Sequence, residues 1–423
     1  MTLLSPFLAS LVLAGGLATD SLAQPEGIAI SGAKIVTAAE PFVVNHGVVL
    51  IKGGKIEAVG PRREVKIPPD YKVYDVGDAW VVPGLVDAHN HTLGGIRDLN
   101  DMVYLTNPEL TTEETVHPGT QEYRIAVAGG VTAALLIPGS GTNQAGFGVV
   151  AKFGGDTVKE SVVRQPGCVK IAQAGNPERY WYGVARSFMN WSLRQVFKKA
   201  RDYARRRLAW EEAPSEERRG EQPKRDPRFE HWVPVFAHKI PALVHTQWYQ
   251  VVLETLKMVH DEFGMRTILG HATFEAWRVG EEVARRPDVF IVNGPRQILF
   301  ETNERRIVGH CWGWYGKGVR ENLGVNCDAV GGGYGGVGQE ELSYQMAMAV
   351  RFGMPDPVQA IKGITIVEAR ALLLEDRIGS LEVGKDGDVA VFTGNPVDPR
   401  NKCLMTFVNG KLVYDAARDG QRW

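Results

Sequence analysis

Residues 83–91 read PGLVDAHNH and close an apolar run that starts at Trp80. Alternate residues of a strand point to the same face. His89 and His91 are therefore aimed together at whatever lies beyond the strand end. Two aligned imidazoles make half of a metal site; the plainer alternative is an exposed pair capping a strand. The fold decides between them, because it sets what else meets those side chains. Similar runs recur downstream: VTAALLIPG (131–139), FGVVAKFG (147–154), CVKIAQ (168–173), ALVHT (242–246), RTILGH (266–271), VFIVNGP (289–295) and LGVNCD (323–328). Near-continuous apolar strands are buried on both faces, as in parallel sheets. With GLVDAH (84–89) they make eight, most followed by helix-period segments, which predicts a (β/α)8 TIM-type barrel over residues 81–378. A doubly wound sheet is the alternative.

The flanking segments have another texture. Residues 27–80 alternate short apolar runs with turns, and Gly53-Gly54 is a hairpin signal. Residues 379–415 do the same, with Asn409-Gly410 as the turn. The expectation is a small β-sandwich built from 24–80 and 379–423. The mixed-charge stretch 193–231 reads as a solvated helix followed by an exposed loop.

The chain has 423 residues, 44% hydrophobic and 23% charged, enough for a large core and more than one domain. A net charge of −1 gives no electrostatic case for nucleic acid or an acidic membrane. The expected partner is a small-molecule substrate, with a homo-oligomer left open. Residues 1–23 are apolar and end in Ser21-Leu22-Ala23, the small-residue pattern of a signal-peptidase site. They predict a cleaved signal, export to the periplasm or beyond, and no stable membrane insertion afterwards; an uncleaved anchor is the alternative. Cys168, Cys311, Cys327 and Cys403 are widely spaced, so in an exported chain one or two disulfides are open and spacing does not give their pairing, but Cys168 and Cys327 lie inside apolar runs, where a buried free thiol is the commoner case.

Barrel enzymes place their chemistry at the carboxyl ends of the strands. His89 and His91 end the first predicted strand, Lys170 lies in the fourth, His245 ends the fifth, His271 the sixth and Asp328 the eighth. A lone strand-end histidine is more often a satisfied core residue, but four of ten histidines at strand ends are not scatter. Tyr180, Trp248 and Arg296 follow strands four, five and seven as candidate substrate contacts, with loop packing as their alternative role. GGGYGGVG (331–338) carries a G-x-G-x-x-G match without the strand–turn–helix unit a dinucleotide needs, and reads as a loop over the barrel mouth.

PGLVDAHNH, ALVHT, ILGHA and VNCDAV resemble the metal-binding motifs of the amidohydrolase superfamily, and IGSLEVGKDGDVAVFTGNP resembles its return to the β-domain. GGVTAALLIPGSG and GITIVEARALLL are similar to its imidazolonepropionase-like branch. The resemblance implies roles. His89 and His91 would hold one divalent ion, His245 and His271 a second if there is one, and Asp328 would ligate and move protons. Lys170 matches the lysine that becomes carboxylated and bridges two ions in part of the superfamily. Two positions depart from the pattern: Gly175 stands where relatives carry a glutamate, and Gln247 where they carry a second histidine. Both bear on the second ion. Zinc is the first choice for histidine-rich sites with one carboxylate, with manganese, iron and nickel left open. The implied chemistry is hydrolysis of a peptide-like, acyl-amino-acid or cyclic amide. A deaminase on the same scaffold and a non-catalytic binding protein are the competing readings.

Overall fold

The computed structural model describes residues 27–92, 99–181, 183–302, 304–330 and 338–420. The predicted signal at 1–23, and Gly331, Gly333 and Gly336 of the glycine-rich run, lie outside them.

The first half of the terminal sheet is β1 (Gly27–Val36), β2 (Val43–Lys52), β3 (Lys55–Pro61), β4 (Tyr71–Asp75) and β5 (Trp80–Pro83). A second sheet follows: β6 (Leu85–Asn90), β7 (Val131–Leu136), β8 (Gln144–Lys152), β9 (Val162–Ala172), β10 (Ala242–Thr246), β11 (Thr267–His271) and β12 (Val289–Asn293). A separate two-stranded hairpin, β13 (Ile298–Glu301) and β14 (Arg306–Gly309), precedes the last strand of that sheet, β15 (Leu323–Val325). The chain then rejoins the first sheet through β16 (Val389–Phe392), β17 (Cys403–Val408) and β18 (Lys411–Asp415). Hydrogen bonds run continuously through β18-β17-β16-β5-β1-β2-β3, with β4 on β1, so both chain ends build one sheet. Its two sharp turns are those the glycines announce. Gly53 and Gly54 sit at φ 57° and 78°, and Asn409 and Gly410 at 49° and 74°, the left-handed pairs a two-residue hairpin requires.

The second sheet runs β15-β12-β11-β10-β9-β8-β7-β6, one strand for each predicted apolar run, and nearly closes on itself. One expectation is corrected: β8 is antiparallel to both neighbours. A parallel return needs a crossover of about a dozen residues, and residues 137–143 are too few. Closure is mostly indirect, with one isolated parallel bridge between His91 and Val330. Val86 N donates to Ile364 O (3.0 Å), Val325 N to Gly363 O (3.3 Å) and His91 N to Ala329 O (2.7 Å). Residues 363–364 are thus wedged between the first and last strands.

The charged stretch begins in a long helix, Arg186–Glu211, that buries Met189, Leu193, Phe197, Ala200, Tyr203 and Ala204 at helical spacing. Its other faces are solvated, as expected. The cysteines are all buried and free, as expected of Cys168 and Cys327, and the structure pairs none of them in a disulfide. Burial pushes the thiols of Cys168, Cys311 and Cys403 up to about 12.

Barrel and terminal sheet are clamped by charge. Lys152 on β8 meets Asp386 (2.7 Å), Asp388 (2.8 Å) and the Asn409 amide oxygen (2.5 Å). Lys55 and Arg377 also reach Asp386. Burial alone would raise the Asp386 carboxyl, but Lys152, Lys55 and Arg377 together outweigh it and hold it near 2. We expect Asp386→Ala to cost about 1–3 kcal/mol in denaturant unfolding, because Lys152 loses one of its two buried carboxylate partners and keeps Asp388. A depressed folded value stabilises above the unfolded value near 4 and is lost as pH falls from there toward 2. The variant should therefore show a weaker acid-induced loss over that window.

Candidate metal centre

Six groups from five strands meet at the carboxyl end of the ring. His89 comes from β6 and His91 stands one residue past it, Lys170 comes from β9, His245 from β10 and His271 from β11, while Asp328 follows β15. All but Asp328 are nearly or fully buried. Asp328 Oδ1 lies 3.4 Å from His89 Nε2 and 3.4 Å from His91 Nε2, and its Oδ2 is 3.9 Å from His271 Nε2. Lys170 Nζ is 3.4 Å from His89 Nε2. The His245 ring stands edge-to-face on His271 at 4.8 Å.

Two local features aim the imidazoles. His91 Nδ1 lies 2.9 Å from Ile137 O, which fixes the proton on that nitrogen and turns the Nε2 lone pair inward. The His89 ring lies on Gly270, where a β-carbon would come within 2.5 Å of Nδ1, so glycine alone leaves it room. Asp328 and two residues after His271, Ala272 and Phe274, sit at φ 51–52°. Left-handed backbone at non-glycine residues costs about 1–3 kcal/mol each and clusters at functional sites.

The donor set fits a divalent cation. His89, His91 and Asp328 each offer a donor, all within 4.8 Å of one another. Tetrahedral donors at 2.0–2.2 Å from one ion stand about 3.4 Å apart, the spacing from Asp328 to both histidines. Burial, with Lys170 and His271 adding to it, keeps His89 well below the usual histidine range. Burial likewise holds His245 and His271 down. Burial acts upward on Asp328, yet His271 and the two histidine contacts win, and its carboxyl lies well below the usual range. Neutral imidazoles around a carboxylate are the protonation states of metal ligands. Burial also brings Lys170 down to about 8.

The site opens through a cavity of about 140 Å³ lined by His91, His245 and Asp328, with Asn100, Ser140 and Tyr180 on its walls. Tyr180 is therefore at the mouth. Trp248 and Arg296 are not in that cavity; they belong to an aromatic stack in neighbouring loops, with Phe274 between them. Gly175, at φ 86°, would place a β-carbon 3.8 Å from His245 Nε2, so a glutamate there would abut this histidine, and here none does.

Sequence reasoning passed over a buried acid pair. Asp87 accepts from His89 N (2.9 Å), Gln339 Nε2 (2.9 Å) and, at longer range, Cys327 N (3.5 Å). It ties the strand of the histidines to the residue before Asp328. Burial raises its carboxyl to about 7. Glu368 accepts from Ala88 N (3.2 Å) and is likewise raised by burial, then by Asp87. The signal for Asp87 was an acid inside an otherwise apolar strand.

Comparison with known proteins points one way. The profile of the Amidohydrolase family matches residues 317–413. The amidohydrolase tasK of Hapsidospora irregularis is 22% identical over 411 residues, 87% of this chain and 40% of that protein. An imidazolonepropionase of Pseudomonas savastanoi is 38% identical over 53 residues, 12% of this chain and 13% of its own length. The chain thus spans well under half of these curated relatives. A crystal structure of an amidohydrolase from Thermotoga maritima superposes with a TM-score of 0.78 at 27% identity, covering 92% of this chain and all of that one. A molinate hydrolase shares the fold, with a TM-score of 0.56 at 19% identity over 92% of this chain and 95% of its own.

Asp87→Ala should weaken metal affinity about 10- to 100-fold, the usual cost of losing a group that orients ligands. Competition with a chromogenic chelator measures it, and an unchanged affinity would show that the ligand strands hold their places without this carboxylate.

Proposed function

Because the chain belongs to the amidohydrolase superfamily, we propose that it hydrolyses C–N bonds with His89, His91 and Asp328 holding a divalent cation. The observation that carries this is the equal 3.4 Å spacing of Asp328 from both imidazoles in a buried pocket. Bound there, such an ion would lower the pKa of a water from about 16 toward 7 and polarise a carbonyl. The remaining work falls to the chain. Asp328, anionic and at the pocket wall, takes the proton of the attacking water and delivers it to the leaving nitrogen. The buried walls exclude competing solvent, and Tyr180 meets the substrate at the entrance.

Zinc is the ion this donor set suits best. A second ion would draw on His245 and His271, bridged by carboxylated Lys170. The low Lys170 value favours carboxylation, since only the neutral amine adds carbon dioxide. Gly175 and Gln247 withhold donors from that ion. A peptide-like or cyclic amide is the substrate class, and the imidazolonepropionase-like branch the closer relation. The same reading takes residues 1–23 as an export signal, 24–80 with 379–423 as a β-sandwich domain and 81–378 as the hydrolase barrel. It favours hydrolase over deaminase, because an exported enzyme is remote from nucleobase salvage.

Asp328→Asn keeps size and one oxygen but accepts no proton at neutral pH. At matched metal occupancy its turnover should fall about 10²–10⁴-fold. A near wild-type rate would remove Asp328 as proton carrier. Lys170→Ala should lose metal measured by elemental analysis, with part of it restored by short carboxylic acids. Full metal content in the unsupplemented variant would leave a single-ion site without the lysine.

A further inference from the structure

Four successive loops at the carboxyl ends of the barrel strands are joined by a single stack. Trp248 follows His245 by three residues, and Phe274 follows His271 by three. Their rings lie 5.6 Å apart and within 6° of parallel. The outer faces are covered by guanidinium groups. Arg186, from the helix after β9, lies 5.4 Å from the Trp248 ring centre, and Arg296, after β12, lies 5.4 Å from that of Phe274. Phe274 reaches this position through a left-handed backbone (φ 52°), a conformation that costs energy and marks a constrained position.

The two arginines differ in charge balance. Arg186 is paired with Glu178 at 2.9 Å, and Glu178 also accepts from Gly175 N, so its charge is spent holding the loop after β9. Arg296 is exposed, and among the described residues no carboxylate lies within ion-pair distance of it. A guanidinium lying on an aromatic ring spends its face on the ring and keeps its N–H edge free. That edge matches a carboxylate through two parallel hydrogen bonds. The loop that carries Arg296 follows a strand whose neighbour ends in His271.

We propose that Arg296, set over the Phe274 ring, is an anion subsite at the barrel mouth and that the substrate is an amide bearing a free carboxylate, an N-acyl amino acid or a dipeptide rather than a neutral lactam. This rests on the amide-hydrolase reading. Trp248 and Phe274 fix the orientation of the guanidinium, so that little side-chain entropy is lost when the carboxylate docks.

The test uses metal-loaded, full-length protein and a panel of N-acetyl amino acids, each paired with its carboxamide. Binding is followed by calorimetry and turnover by amine release. The wild type should bind at least one acid about 10- to 100-fold more tightly than its carboxamide, the range for a hydrogen-bonded charge. Arg296→Gln should bring that ratio close to one, and Arg296→Lys should restore part of it. A purely structural stack would weaken both members of each pair equally and keep the ratio. Absence of acid preference in the wild type, or an unchanged ratio in Arg296→Gln, overturns the subsite. An acid preference that depends on Arg296, with no turnover of any amide, supports the subsite and refutes the hydrolase reading alone.

Discussion

The site exists only because the ring of strands closes. His89 lies on its first strand, His91 one residue past it, and Asp328 follows its last, so their 3.4 Å spacing is set by the seam between them. Among the described residues that seam has no continuous strand pairing, only one isolated parallel bridge, His91 to Val330, just past the two strand ends. It is bridged by the backbone of residues 363–364, by His91 N on Ala329 O, and by the carboxyls of Asp87 and Glu368. Gly324 is part of the same device, since any β-carbon there would run into the Glu368 carboxyl. Buried acids are costly. Here each accepts backbone N–H groups that a missing strand partner would otherwise leave unsatisfied.

The same burial sets the chemistry. Burial disfavours charge, so it holds His89, His245 and His271 toward the neutral form and brings Lys170 down, while Asp328 stays anionic because the histidines face it. One anion among neutral donors draws a cation. Strain is concentrated in the same place: Ala272, Phe274 and Asp328 hold left-handed backbone where β11 and β15 give way to loops. The surrounding sheet supplies the rigidity that makes those conformations affordable.

Much of this was legible in the sequence. Each of the eight apolar runs became a strand, because burial on both faces leaves an unbroken hydrophobic signature. Both hairpin turns followed from residues that tolerate positive φ. Hydrophobicity carries no polarity, so the direction of β8 is encoded only in the short 137–143 link. The four histidines, Lys170 and Asp328 come together in one pocket, and strand position alone pointed to them as candidates. Asp87 and Glu368 were missed because their role depends on which strands become neighbours around the ring; an acid inside an apolar strand marks Asp87 but not what it bonds. The Trp248–Phe274 stack is a contact of the same kind.

The pairing of β16 with β5 has a consequence for how the protein is made. Val81 lies opposite Val391, and Val82 opposite Ala390. A ribosome therefore delivers one edge of the terminal sheet about three hundred residues before the strand that covers it. Through most of translation the β5 edge is open, and contacts this distant in sequence form slowly. An uncovered apolar edge is prone to pair with other chains. Shortening the chain anywhere before Phe392 would leave that edge uncovered for good, so a stalled or clipped product would aggregate rather than wait.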